Sequence, residues 1–162
     1  MTDRMAALSA LNDQPGSARD AALKSFREEF DGQTHVLDKW FMLIATAPIP
    51  TVLQDIRQAM EDPAFKLSNP NKVRALIGAF VSANPTEFHN KDGSGYSFHA
   101  EMTLSLDKIN PQTTARMLAP LGRWKRMDES RRIKMQDALK KIVSADGVSR
   151  DVFEIASKAL KA

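Results

Sequence analysis

No cysteine occurs in the 162 residues, so neither a disulfide framework nor a thiolate metal site can form. That absence agrees with a reducing compartment, and a cytoplasmic location is expected. Histidine is also scarce. A helix-borne zinc site needs two histidines one turn apart with a carboxylate nearby, as in H-E-x-x-H, whereas His35, His89 and His99 are widely separated. No metal site and no cofactor are therefore expected in this chain, and the histidines read as surface or capping residues. No apolar run approaches the roughly 20 residues that span a bilayer. Met1-Thr2-Asp3-Arg4-Met5 also lacks the basic segment and apolar stretch of a secretory signal, so no membrane partner is expected.

Nucleophilic and phosphate chemistry lack their signatures as well. There is no G-x-S-x-G elbow and no cysteine to pair with a histidine, so no catalytic residue is assigned. Lys91-Asp92-Gly93-Ser94-Gly95-Tyr96 lacks the G-x-x-x-x-G-K-[ST] order of a phosphate loop and reads as a structural turn. Lys and Arg number 23 against 20 Asp and Glu, and a net charge of +3 is too modest to call for a nucleic-acid partner.

What is present is helical spacing. Strict alternation of β-branched residues is absent, while apolar residues recur at three- and four-residue intervals throughout. Met5, Leu8 and Leu11 mark a first helix. Leu23, Phe26 and Phe30 mark a second, capped by Ser17, and Val36, Leu37, Trp40, Phe41 and Ile44 form the broadest apolar face, on a helix capped by Thr34. Val52, Leu53, Ile56, Ala59 and Met60 follow, before Asp62-Pro63 stops the ladder. Asn69-Pro70, Asn84-Pro85 and Asn110-Pro111 each pair a capping side chain with a residue suited to the first helical position. After the first of these, Val73, Leu76, Ile77, Phe80 and Val81 fit a helical face without a miss. Phe98, Met102, Leu106 and Ile109 line a further helix, and Thr114, Met117, Leu118 and Leu121 another. Asp128 and Ser149 are placed to cap the last two.

The expected fold is all-α, one domain over 1–162 with eight or nine antiparallel helices. Taken in pairs, they begin near Met1, Thr34, Pro70 and Pro111, a step of roughly 35 to 40 residues that suits an armadillo- or HEAT-like superhelical stack. A compact helical bundle is the alternative.

Arg123-Trp124-Lys125-Arg126 with Arg131-Arg132 is the densest basic cluster, interrupted by Asp128 and Glu129. It reads as a solvated helix end or an internal anion-pairing site, and Trp40 and Trp124 as core or interface residues. Two further arginines occupy helical faces: Arg74 at the edge of the Val73 to Val81 face, and Arg116 pointing away from the Thr114, Met117, Leu118 and Leu121 face.

The strings Met1-Thr2-Asp3-Arg4-Met5-Ala6-Ala7-Leu8, Asp38-Lys39-Trp40-Phe41, Ser68-Asn69-Pro70-Asn71-Lys72-Val73-Arg74-Ala75-Leu76-Ile77-Gly78-Ala79-Phe80, Asp92-Gly93-Ser94-Gly95-Tyr96 and Ala115-Arg116-Met117-Leu118-Ala119-Pro120-Leu121 resemble, in this order, the C-terminal domain of bacterial aminopeptidase N. The resemblance covers essentially the whole chain and weakens toward the last helix. It implies a parent zinc metallopeptidase whose H-E-x-x-H and G-x-M-E-N motifs lie in an earlier catalytic domain, neither motif being present here. It also implies a non-catalytic helical domain that closes over that catalytic domain and lines the peptide channel, with Arg74 and Arg116 at the substrate-facing positions. The expected partners are then the catalytic domain of the same parent chain and a peptide substrate, with no nucleic acid. An independent helical-repeat adaptor that binds an acidic protein or nucleic acid through the Arg123 to Arg132 cluster is the alternative.

Overall fold

A computed structural model describes residues 2–161; Met1 and Ala162, the ends of the expected domain, lie outside the described residues. The described residues are all helix and connecting turn, as the apolar spacing predicts, and none of them is in a strand. No helix among them is long and apolar enough to cross a membrane. The chain divides after Glu87 into two compact units.

The first unit contains α1 (Thr2–Leu11), α2 (Ser17–Glu29), α3 (Thr34–Thr46), α4 (Val52–Met60), α5 (Pro70–Val73) and α6 (Ala79–Ala83). Its centre is α3, whose wide apolar stripe packs against α2, α4, α6 and the turn before α6. Phe41 is completely buried, with Trp40 and Phe65 edge-on to its ring, and Trp40 Nε1 donates to the Leu23 carbonyl at 3.0 Å. An indole needs an acceptor when buried, and this one joins α3 to α2. Between α5 and α6 the chain runs as a π-helical turn, Arg74–Gly78, so the helix expected from Val73 to Val81 forms with one wider turn inside it. Lys72, 2% exposed, is accommodated by Asp38 Oδ1 at 2.7 Å, by the Thr34 carbonyl at 3.0 Å and by the Phe41 ring.

The second unit begins at Phe88, the last residue of the single turn α7 (Pro85–Phe88), and contains α8 (Ser94–Asp107), α9 (Pro111–Met117), a 3-10 helix Leu121–Arg126, α10 (Glu129–Val143) and α11 (Arg150–Lys161). Helix α8 is buried on several faces, through Tyr96, Phe98, His99, Met102 and Leu106, while Leu139 and Ile142 of α10 and Val152 and Ala156 of α11 complete the core. Gly95 must be glycine. A Cβ there would lie 2.4 Å from the Phe88 carbonyl oxygen, inside van der Waals contact.

The Asn-Pro caps form as expected. Asn69 accepts from the Asn71 N–H, Asn110 from the Thr113 N–H and Asn84 from the Glu87 N–H, and Asp128 and Ser149 cap α10 and α11. Ser17 and Thr34 do not cap. Each is already the first helical residue, after Gly16, which has no side chain to cap with, and Gln33, whose side chain makes no capping bond. Ile109 falls beyond the end of α8 and is 47% exposed, so it leaves the face expected of it. The helical segments exceed the eight or nine expected because the π turn splits one helix into α5 and α6 and because Pro85–Phe88 closes a turn of its own.

Candidate functional site

Arg74 opens the π turn. The neighbours Ala75, Leu76 and Ile77 are buried while Arg74 is exposed, its stem running beside Gly78, where an added Cβ would meet Arg74 Cγ at 3.7 Å. Its guanidinium Nη1 donates to Asn71 Oδ1 at 3.2 Å, a neutral acceptor, and no carboxylate among the described residues pairs with it. A π turn inside an α-helix recurs at functional sites because the wider turn re-aims the side chains around it.

Arg116 lies in the last turn of α9 and is exposed, turned away from buried Thr114 and Leu118 as the helical wheel predicts. It borders a shallow groove of about 350 Å³ together with Gln112, Ala115, Asp151, Glu154 and Ile155. Asp151 and Glu154 stand one turn apart on α11. Arg116 therefore shares its groove with two carboxylates, which sets its electrostatics apart from those of Arg74. The two arginines belong to different units.

The histidines separate. His35 is exposed. His89 Nδ1 bonds the Tyr96 hydroxyl at 2.9 Å, and burial, with the Arg131 charge, lowers its pKa. His99 contradicts the surface or capping role expected of it: it is 0% exposed, its ring nitrogens make no hydrogen bond of full geometry among the described residues, and burial pushes its pKa down to about 4 against a smaller opposing effect of the Met117 backbone. Thr103, one turn along α8, has a buried hydroxyl with no hydrogen-bond partner among the described residues. His99 shares its helical stripe with Tyr96, Thr103 and Leu106, which was the available sign of burial. No group of three or more metal-ligating side chains forms among the described residues.

The basic cluster divides too. Arg131 is occupied, pairing with Asp128 at 2.5 Å and donating through Nε to the His89 carbonyl at 2.6 Å, which is the internal pairing expected for part of the cluster. Trp124 is 8% exposed and its Nε1 donates to the Ala159 carbonyl at 2.9 Å, so its ring is packed, as expected. Arg123, Lys125, Arg126 and Arg132 remain exposed.

Sequence reasoning missed Arg19. It is 3% exposed and lines a cavity of about 500 Å³ bordered by α2, α3 and α4. Its Nε donates to Asn12 Oδ1 at 3.2 Å and its Nη1 to Asp55 Oδ2 at 2.8 Å. Nothing in the helical spacing around Arg19 announces this, because Asp55 is 36 residues away.

Residues 1–161 match the family described as "Domain of unknown function (DUF3458_C) ARM repeats". The chain belongs to that family. The description agrees with the armadillo-like reading of the helical pairs. Aminopeptidase N of Escherichia coli (strain K12) is 42% identical over 160 residues, covering 99% of this chain and 18% of that protein. Aminopeptidase N of Haemophilus influenzae (strain ATCC 51907 / DSM 11121 / KW20 / Rd) is 40% identical over 161 residues with the same coverage. Among solved structures, the crystal structure of Legionella pneumophila aminopeptidase A in complex with aspartic acid superposes with a TM-score of 0.93 at 35% identity, covering 99% of this chain and 19% of that one. The resemblance to aminopeptidase N is borne out, and the chain spans 18% of the length of these aminopeptidase N relatives.

Proposed function

We propose that this chain is the non-catalytic C-terminal domain of a zinc-dependent aminopeptidase, a hydrolase that removes N-terminal amino acids from peptides. In this reading it caps the catalytic domain of the same parent chain and lines the channel through which the peptide passes. The observation that carries the proposal is the alignment: 99% of the chain matches 18% of aminopeptidase N in separate bacteria. The residues present do not fit a catalytic zinc ion. His99 is enclosed in the core, His89 is engaged by Tyr96, and His35 belongs to the other unit. The zinc ligands of the parent enzyme are therefore assigned outside this chain.

Arg74 and Arg116 are the residues we assign to the channel. Arg74 makes its hydrogen bond to a neutral amide and keeps its charge for a substrate's C-terminal carboxylate, which a guanidinium binds through paired N–H donors. Arg116, beside Asp151 and Glu154, suits uncharged peptide carbonyls, because a substrate carboxylate in its groove would meet two like charges.

The test uses the parent enzyme. Arg74→Ala is expected to slow hydrolysis of short peptides with a free C-terminus more than that of the same peptides amidated. Arg116→Ala should slow both peptide forms equally, and neither substitution should change turnover of an alanyl anilide. Equal losses on peptide and anilide would remove the channel role. Hydrolysis of the anilide by the isolated chain supplied with zinc, above a denatured control, would overturn the non-catalytic assignment.

A further inference from the structure

Charge is unevenly distributed along the chain. From Phe88 onward there are fourteen Lys and Arg against nine Asp and Glu, while the first 87 residues hold nine against eleven. Within the second unit the excess gathers where the 3-10 helix meets the end of α11. The Trp124 Nε1 bond to the Ala159 carbonyl fixes that junction, and an added Cβ on Gly122 would touch Ala159 Cβ at 3.7 Å. The two abutting segments, 121–127 and 155–161, contain Arg123, Lys125, Arg126, Lys158 and Lys161 and no carboxylate. All five are exposed. Arg132 extends the surface, its Nη2 donating to the Met127 carbonyl at the end of the 3-10 helix. The nearest acid along the chain, Asp128, is held by Arg131. Glu129 follows Asp128 on α10, and the acids of α11, Asp151 and Glu154, lie in its first two turns, toward the end opposite Lys158 and Lys161.

We propose that this surface binds an acidic polypeptide segment in extended conformation. Residues three apart eclipse on a 3-10 helix, which sets Arg123 and Arg126 side by side at roughly 6 Å along its axis. Alternate residues of an extended strand repeat at roughly 6.6 Å on one face, so two carboxylates at i and i+2 meet the two guanidinium groups in register. Lys125, Lys158, Lys161 and Arg132 surround that pair and add long-range attraction. A single-stranded nucleic acid would need an exposed aromatic face on which to stack, and Trp124 is packed against α11 with its indole N–H occupied. The proposal is independent of the peptide-channel reading, because it concerns binding and uses neither Arg74 nor Arg116.

The experiment is fluorescence anisotropy with a labelled peptide of alternating Glu and Gly, on the intact chain at low ionic strength. Binding is expected, weakening steeply as salt is added, and the paired reversal Arg123→Glu with Arg126→Glu should weaken it by about tenfold or more. Lys140→Glu with Lys141→Glu makes the same change of net charge on exposed positions of α10 and should leave affinity within about twofold. A peptide of the same composition with its Glu residues in one block should bind more weakly than the alternating one. Equal loss with the α10 pair, equal affinity for both peptides, or tighter binding of a short DNA duplex than of the alternating peptide would each overturn the proposal. The salt and peptide-register comparisons use the unmodified chain and hold whether or not the reversed variant folds.

Discussion

Asp107, near the end of α8, accepts hydrogen bonds from both the backbone N–H and the hydroxyl of Ser149, at 2.7 and 2.5 Å. Ser149 precedes α11 and caps it through the Val152 N–H, so one buried carboxylate orients the cap of a helix 42 residues away in sequence. Asp107→Ala leaves the Ser149 N–H without its acceptor and frees the capping hydroxyl. Stability is expected to fall by roughly 2 kcal/mol, with Asp107→Asn recovering part of the loss. The midpoint of urea unfolding measures this, and a midpoint within error of the unmodified chain would contradict the role.

Asn84 does in the first unit what Asp107 does in the second. At 2% exposure its Nδ2 donates to the carbonyls of Ala45 and Ala47, at 3.0 and 2.8 Å, while Oδ1 accepts from the Glu87 N–H at 3.2 Å. Asn84→Ala is expected to cost roughly 2–4 kcal/mol, since it strands two carbonyls and one N–H. Asn84→Asp should cost at least as much, because a carboxylate would face two carbonyl oxygens. A neutral effect of Asn84→Asp in thermal unfolding would refute this account of the site.

Acid should destabilise the second unit through His99. Burial holds its pKa at about 4 against 6.5 in a model peptide, the opposing effect of the Met117 backbone being smaller. Between those values the unfolded chain binds more protons than the folded one, so stability rises with pH. The contribution is complete above the unfolded value and is lost as pH falls through 6.5 toward 4, at about 1.4 kcal/mol per pH unit and roughly 3 kcal/mol across the window. His99→Leu should flatten this part of the profile, because leucine takes up no proton. Parallel profiles for the two proteins from pH 4 to 7 would sink the argument.

Two glycines of the second unit should respond oppositely to alanine. At Gly95 the new Cβ meets the Phe88 backbone at 2.4 Å, and backbone cannot swing aside as a side chain can, so a loss of roughly 2 kcal/mol or more is expected. At Gly122 the nearest atom is Ala159 Cβ at 3.7 Å, an ordinary contact, and the change should be near neutral. Melting temperatures of the two variants side by side provide the check, and comparable shifts would rule out the close-approach explanation.

The sequence by itself determined the helices, their Asn-Pro, Asp128 and Ser149 caps, the exposure of Arg74 and Arg116 and the aminopeptidase resemblance. Each depends on neighbours within about one turn or on literal strings of residues. Only the tertiary structure decided the π turn that begins at Arg74, the carboxylates beside Arg116, the enclosure of His99 and Arg19, and the basic surface where the 3-10 helix meets α11. The physical reason is distance along the chain. Asp55 reaches Arg19 across 36 residues, Ser149 reaches Asp107 across 42, and Trp124 reaches Ala159 across 35, and no local periodicity encodes such partners.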